Sequence, residues 1–212
     1  MLRYLTVDRP RHTRLSLENV AGIPLLILPG VFNPALFPSS PFFAAELSRS
    51  RVQERDAVLD LGTGCGLLAI CAAQRASRVV AIDINPEAVR CARVNVALNH
   101  MEDRVEVRSG DLFEPAHNER FNLILFNPPF YRGAPASSAD RAFRAEGLAE
   151  RFASGLGSHL ADGGRTLVVL STDAEIQTYL GPLVSAGFRA DEVARRDLAT
   201  ERLLIYEVRG ER

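Results

Sequence analysis

Ala57-Val58-Leu59-Asp60-Leu61-Gly62-Thr63-Gly64-Cys65-Gly66-Leu67 reads as a strand, a glycine loop and the start of a helix. Residues 57–61 are apolar apart from one acid near the end, the pattern of a strand buried on both faces. Glycines at 62, 64 and 66 then allow a tight turn whose backbone a ligand can approach without meeting a Cβ. From Leu67 a helical pattern continues to about residue 75. A lone glycine loop is a weak signal, since ordinary tight turns use the same residues. The sequence on its C-terminal side gives it weight. Residues 78–82 form a second strand that ends at Asp83. Asn85-Pro86-Glu87 opens a helix through Ala88, Cys91, Val94 and Leu98, with Asn85 placed to cap it and Pro86 in its first turn. Residues 105–107 form a third strand ending at Ser109-Gly110-Asp111. Residues 121–126 form a fourth, ending at Asn127-Pro128-Pro129-Phe130.

Strands alternating with helices imply a mostly parallel sheet covered on both faces. In such sheets ligands bind beyond the C-terminal ends of the strands. Asp60, Asp83, Asp111 and Asn127 fall at four successive strand ends, so three carboxylates and an amide are expected on one rim. The corner at 127–130 is rigid, because two consecutive prolines lock φ and remove two N–H donors. It offers an amide side chain, backbone carbonyls and an aromatic face, which together can grip a planar –NH2 group. The loop reads G-x-G-x-G, whereas a dinucleotide fingerprint needs a glycine where Leu67 stands. A nicotinamide-dependent oxidoreductase is disfavoured on that ground.

On the N-terminal side, residues 2–7 read as a strand and Arg9-Pro10-Arg11-His12-Thr13-Arg14 as a solvated basic loop. Residues 15–20 and 23–28 flank Ala21-Gly22, which suggests a β-hairpin. Residues 29–41 carry four prolines and read as an ordered, non-repetitive loop. Ser40 as N-cap and Pro41 at the first helical position then predict a helix over 42–50. Towards the C-terminus, residues 131–140 read as a connection, 141–160 as a helix, Gly163-Gly164 as a turn and 166–170 as the fifth strand. A helix over 174–186 is expected to be kinked or divided by Gly181-Pro182. Residues 188–198 and 202–208 read as two closing strands, an antiparallel pair.

The chain has 212 residues, 47% hydrophobic and 24% charged, enough for one substantial core. Its net charge is −1, with 25 basic side chains (all arginine) against 26 acidic ones, so no global attraction to nucleic acid is expected. No apolar run is long enough to span a bilayer, and Met1-Leu2-Arg3-Tyr4 does not begin a signal peptide. A membrane role is therefore not expected, and a cytoplasmic location is. Cys65, Cys71 and Cys91 lack metal-ligand spacing and the four histidines are scattered, so no metal is expected.

With these motifs in place, the chain resembles a class I S-adenosylmethionine-dependent methyltransferase over roughly residues 30 to 208. The segment 60–66 is similar to the first motif of that superfamily, Asp83 to its ribose-binding acid, Gly110-Asp111-Leu112-Phe113 to its adenine-reading segment, and Asn127-Pro128-Pro129-Phe130 to the N-P-P-[FY] motif. Asp-Ile-Asn-Pro-Glu-Ala at 83–88 and the lid-like Pro29-Gly30-Val31-Phe32-Asn33-Pro34 resemble the methyltransferase small group, which includes the HemK/PrmC glutamine methyltransferases and several RNA N-methyltransferases. The fold implied is α/β: a seven-stranded, mostly parallel Rossmann-like sheet with an antiparallel last strand and helices on both faces. Residues 1–50 would form the hairpin and lid, and 51–212 the methyltransferase domain, as one compact unit.

The resemblance also assigns roles. Asp60, Gly62, Gly64 and Gly66 would hold the donor's methionine end. Asp83 would take the ribose hydroxyls, Ile84 and Leu112 the adenine face, Asp111 the adenine amino group, and Ser40 the donor's carboxylate. Asn127 and Pro128 would each accept an N–H from the acceptor nitrogen, with Phe130 stacked on it and Pro129 and Phe32 completing the substrate contact. The cofactor is S-adenosyl-L-methionine, with S-adenosyl-L-homocysteine as product and no metal. A glutamine-bearing protein is the favoured acceptor. A nucleobase amine in RNA or DNA and a small molecule are alternatives, and a non-catalytic donor-binding subunit is the reading from another class. Two-domain release-factor enzymes carry an N-terminal helical domain, against about thirty residues before the lid here, so a small activator subunit is a further expectation.

Overall fold

The computed structural model describes residues 14–129, 147–173 and 175–210. The strand expected over 2–7, residues Arg9 and Arg11, Phe130, the connection at 131–140 and the start of the following helix lie outside them.

Two antiparallel strands come first, β1 (Ser16–Val20) and β2 (Ile23–Ile27). They meet at Ala21-Gly22, both at positive φ (53° and 82°), which suits the twist of a two-residue hairpin. Helix α1 spans Ser39–Glu46 and widens into a π-helical turn over Leu47–Arg51. The expected cap is corrected here: Pro38 is the N-cap residue, no side chain caps the helix, and Ser40 is already inside its first turn. The main sheet is built from β3 (Ala57–Leu61), β4 (Arg78–Asp83), β5 (Val105–Ser109), β6 (Phe121–Phe126), β7 (Leu160–Ser171), β8 (Phe188–Asp197) and β9 (Arg202–Gly210). Helices α2 (Leu67–Ala73), α3 (Pro86–Leu98), α4 (Leu148–His159) and α5 (Ile176–Ser185) join them.

The sheet order is β5-β4-β3-β6-β7-β9-β8. The five strands from β5 to β7 pair parallel, and β9 runs antiparallel to both β7 and β8. The seven strands and the antiparallel closing pair are as the sequence implied. Side-chain alternation divides the interior into two cores. Val58, Leu123 and Leu125 face the core shared with α1, α2, α3 and the hairpin. Leu59, Leu61, Ile124 and Phe126 face the other, with Phe152 and Leu156 of α4 and Leu183 of α5. Every residue of α2 is buried, as expected of a short helix covered on all sides. None of the described helices is long and apolar enough to cross a membrane.

Two further expectations change. Strand β7 begins at Leu160, directly after α4, and Gly163-Gly164 is a bulge inside it: Phe121 pairs with Leu160 and Leu123 with Arg165, so residues 161–164 are looped out. Pro182 lies inside α5 without dividing it. The missing N–H removes one helical bond, and the chain resumes with Ala186 N–H donating to the Pro182 carbonyl at 3.0 Å.

One buried side chain of α3 ties the hairpin to the glycine loop. Asn95 of α3 accepts from Leu26 N–H at 2.7 Å and donates to the carbonyls of Leu26 (2.9 Å) and Cys65 (2.8 Å). A fully buried amide with these three bonds links hairpin, helix and glycine loop.

Candidate active site

The pairing register sets the rim. Leu61 pairs with both Ile82 and Phe126, so Gly62, Asp83 and Asn127 follow at one level on three adjacent strands. Gly62, Gly64 and Gly66 all have positive φ, between 57° and 89°. At Gly64 a Cβ would meet nothing within 4 Å, so this part of the loop faces open space, while at Gly66 it would press on Ala92 at 3.3 Å. The first fits a ligand cradle and the second close packing of the loop on α3.

Asp60 is buried and accepts a 2.6 Å hydrogen bond from the Thr63 hydroxyl. Burial pushes its carboxyl up to about 7, and the nearby Asp83 charge adds to the rise, against the opposing Thr63 bond. Asp83 is also buried and is pushed up by burial to about 6, although backbone N–H donors oppose the rise. Gly64 N–H donates to Asp83 Oδ2 at 2.8 Å and Asn85 N–H to Oδ1 at 2.9 Å. The second carboxylate therefore also braces the glycine loop. Asn85 caps α3 as expected, with its Oδ1 accepting from Glu87 N–H at 3.0 Å.

A narrow groove brings Gly62, Asp83 and Ile84 together with Gly110, Asp111 and Leu112, and Phe126, Leu148 and Arg151 complete its lining. Ile84 is 37% exposed, an apolar surface available to a flat ring. Leu112 has φ of 47°, so local strain is held within this lining. At Gly110 a Cβ would collide with Pro115 at 2.2 Å, which restricts the position to glycine.

Leu148 and Arg151 were missed in the sequence. Nothing in the local pattern around Arg151 marks it as part of a site. It stands in the first turn of α4 and its guanidinium donates to Asp111 Oδ2. Thr63, the partner of Asp60, was also missed, hidden between two glycines.

At the end of β6, Asn127 and Pro129 are half-buried and Pro128 is buried. Asn127 Nδ2 donates to Ser40 Oγ at 3.2 Å, across 87 residues of sequence. Ser40 thus stands beside the prolyl corner. Phe32, further back on the lid, stacks on Phe37 with ring centroids 4.7 Å apart. The lid is held by Asn33, whose Nδ2 donates to Glu18 Oε1 at 2.9 Å and Ser16 Oγ at 3.3 Å.

A parallel sheet closed by an antiparallel pair, a glycine loop after β3, an acid at the end of β4 and another just beyond β5 define a Rossmann-like methyltransferase. The chain belongs to the methyltransferase small domain family, whose family model matches residues 22–197. It is 31% identical over 195 residues to a provisionally named protein N5-glutamine methyltransferase of Methanocaldococcus jannaschii, covering 88% of this chain and 95% of that one. It is 43% identical over 83 residues to the tRNA1(Val) (adenine(37)-N6)-methyltransferase of Porphyromonas gingivalis, a segment that covers 36% of this chain and 32% of that relative. The chain thus matches about a third of the length of such adenine methyltransferases. In fold it is similar to the Thermus thermophilus 16S rRNA N2 G1207 methyltransferase solved with AdoMet and guanosine, with TM-score 0.66 and 23% identity over 92% of this chain and 50% of that one. It is also similar to the M. jannaschii tRNA m1G37 methyltransferase, with TM-score 0.68 and 19% identity over 93% and 57%. The donor of this family is S-adenosyl-L-methionine, and the open cradle at Gly64 and the buried acids fit it.

Proposed function

We propose that this chain is an S-adenosyl-L-methionine-dependent N-methyltransferase whose acceptor is a planar amide nitrogen, the side chain of a glutamine in a protein. The observation that carries the reading is the register between β3 and β6, which sets the prolyl corner directly beside the glycine loop. When bound, S-adenosyl-L-methionine supplies a methyl group on a positively charged sulfur that leaves as a neutral thioether.

The chain's own residues do the rest. Asp60 accepts from the donor's ammonium and Asp83 from its ribose hydroxyls, which need acceptor-only partners. Gly62 and Gly64 admit its methionine end while Gly66 lets the loop pack on α3, Ile84 and Leu112 flank the adenine, and Asp111 accepts from the adenine amino group once Arg151 yields. Asn127 Oδ1 and the Pro128 carbonyl each accept one N–H of the acceptor amide, and Pro129 and Phe32 border it. An amide nitrogen is a poor nucleophile because its lone pair is delocalised. Two fixed acceptors favour the geometry in which that pair can attack, and orientation of this kind contributes about 7–11 kcal/mol in well-aligned systems. The same oxygens stabilise the positive charge that develops on nitrogen, which is discharged as the methylated nitrogen gives up one of its two protons to water.

Support for glutamine over a nucleobase comes from the relative that matches nearly the whole chain and from the near-neutral net charge. A nucleobase amine is the second reading, favoured by the higher identity over the shorter segment. The test is incubation of the protein with methyl-tritiated donor and cell extract, divided between protease and nuclease. The expected label is protease-sensitive and is released by acid hydrolysis as methylamine, as an N5-methylated glutamine requires. Label in the nuclease-sensitive fraction would overturn the glutamine assignment.

A further inference from the structure

We infer that Ser40 is a positioning residue: its hydroxyl holds the nitrogen end of the Asn127 amide and so leaves the oxygen end for the acceptor. The inference rests on the reading of Asn127 given above. An asparagine amide can face either way, and its two ends have opposite hydrogen-bonding character. In an Asx-turn the asparagine amide oxygen is taken up locally, accepting from the N–H two residues on. Here that residue is Pro129, and the one before it is Pro128, so neither has an N–H to offer. The prolines thus keep Oδ1 from being used by its own backbone. The remaining task is to hold Nδ2, and Ser40 Oγ accepts from it at 3.2 Å.

Ser40 is itself well placed to fix a neighbour. It is 5% exposed, and Phe42 and Phe43 in the same short helix are buried in the core. Upstream, Asn33 is fully buried and fixes the lid to β1 through Glu18 and Ser16. The hydroxyl is therefore presented from a clamped element, which is what holding a reacting group in line requires.

The test compares wild type, Ser40→Ala, Ser40→Thr and Asn127→Ala. Turnover is read as protease-sensitive tritium transferred to cell-extract protein, and donor affinity as the calorimetric Kd of S-adenosyl-L-homocysteine. Removing one support from an oriented group is expected to lower turnover of Ser40→Ala about ten- to hundred-fold, with Kd within about two-fold of wild type. Threonine keeps the hydroxyl and is expected to restore most of the loss. A second measurement needs no acceptor: in 15N-asparagine-labelled protein, the Asn127 side-chain amide is identified by its absence in Asn127→Ala. One of its protons is expected to exchange slowly with solvent in wild type and Ser40→Thr, and quickly in Ser40→Ala. Unchanged exchange in Ser40→Ala overturns the inference. So does a Ser40→Ala protein with wild-type turnover while Asn127→Ala is inactive, or one whose loss lies in Kd, which would assign the hydroxyl to the donor. Wild-type turnover of Asn127→Ala sinks instead the earlier reading of the acceptor site.

Discussion

Asp60 and Asp83 are buried carboxylates on adjacent strand ends, and burial has raised both, to about 7 and about 6. A ligand that brings an ammonium and two hydroxyls favours their ionised forms. Below neutrality the donor must first displace protons, so its affinity is expected to fall as pH drops from 8 to 5.5. Calorimetry of S-adenosyl-L-homocysteine in two buffers of different ionisation enthalpy checks this, since proton release at pH 6.5 makes the apparent heats differ. Equal heats would show that neither carboxylate changes its protonation. Substitution separates the rim's two halves. Asp83→Ala is expected to weaken donor binding at least ten-fold. Asn127→Ala is expected to leave the donor Kd nearly unchanged and lower turnover by about two orders of magnitude, the scale of losing a group that stabilises developing charge. The strand-end positions of Asp60, Asp83 and Asn127 were legible in the sequence because each lies at or just before the end of an apolar run or directly after it. Ser40's contact was not, because it spans 87 residues between the lid and β6. A serine followed by proline reads locally as an N-cap, whereas the helix begins one residue before that serine, at Ser39, with Pro38 at the cap.

Among the elements, α4 shows why local rules fail beside a packed ring. Gly155 lies within it, where alanine would normally gain about 1 kcal/mol. A Cβ there would meet Phe113 at 2.5 Å, and that ring is held between His159, with centroids 4.5 Å apart, and Phe152, at 6.0 Å. Overpacking of this kind costs about 1–3 kcal/mol, so Gly155→Ala is expected to be destabilising. Chemical denaturation measures it, and a variant more stable than wild type would mean that the ring moves aside freely. Strand and helix order was readable because periodicity survives in buried elements. The bulge at 161–164 was legible as a glycine pair, but not as part of β7, because only pairing with β6 defines that strand. Arg151 could not be found at all from the sequence. Its place opposite Asp111 follows from how α4 packs across the sheet end, which no local pattern encodes.

For the whole molecule, the raised acids set the pH dependence of stability in the absence of donor. Their folded values lie above the ordinary 3.8, so between about pH 4 and pH 7 the folded chain holds protons that the unfolded chain has released. Their contribution therefore lowers stability as pH rises through that window, and then levels off. Glu106, held at about 2 by Arg108, acts in the opposite sense, but only below about 4.5. Melting without ligand is expected at a higher temperature at pH 5 than at pH 8, and Asp60→Asn is expected to flatten the difference. A melting temperature that rises across this range would contradict the burial of these groups. A sheet covered on both faces was readable from the alternation of strands and helices, whereas the division of the one expected core into two was not. The tie from hairpin to glycine loop was not, since it runs through a single asparagine, Asn95, in the middle of α3.

The pair Pro128-Pro129 has one more consequence. Their backbone carries no hydrogen that can be replaced by deuterium. Heavy water therefore leaves that floor chemically unaltered, and a solvent isotope effect arising in the protein at this corner comes from hydrogens outside the two prolines, those on the Asn127 and Ser40 side chains among them.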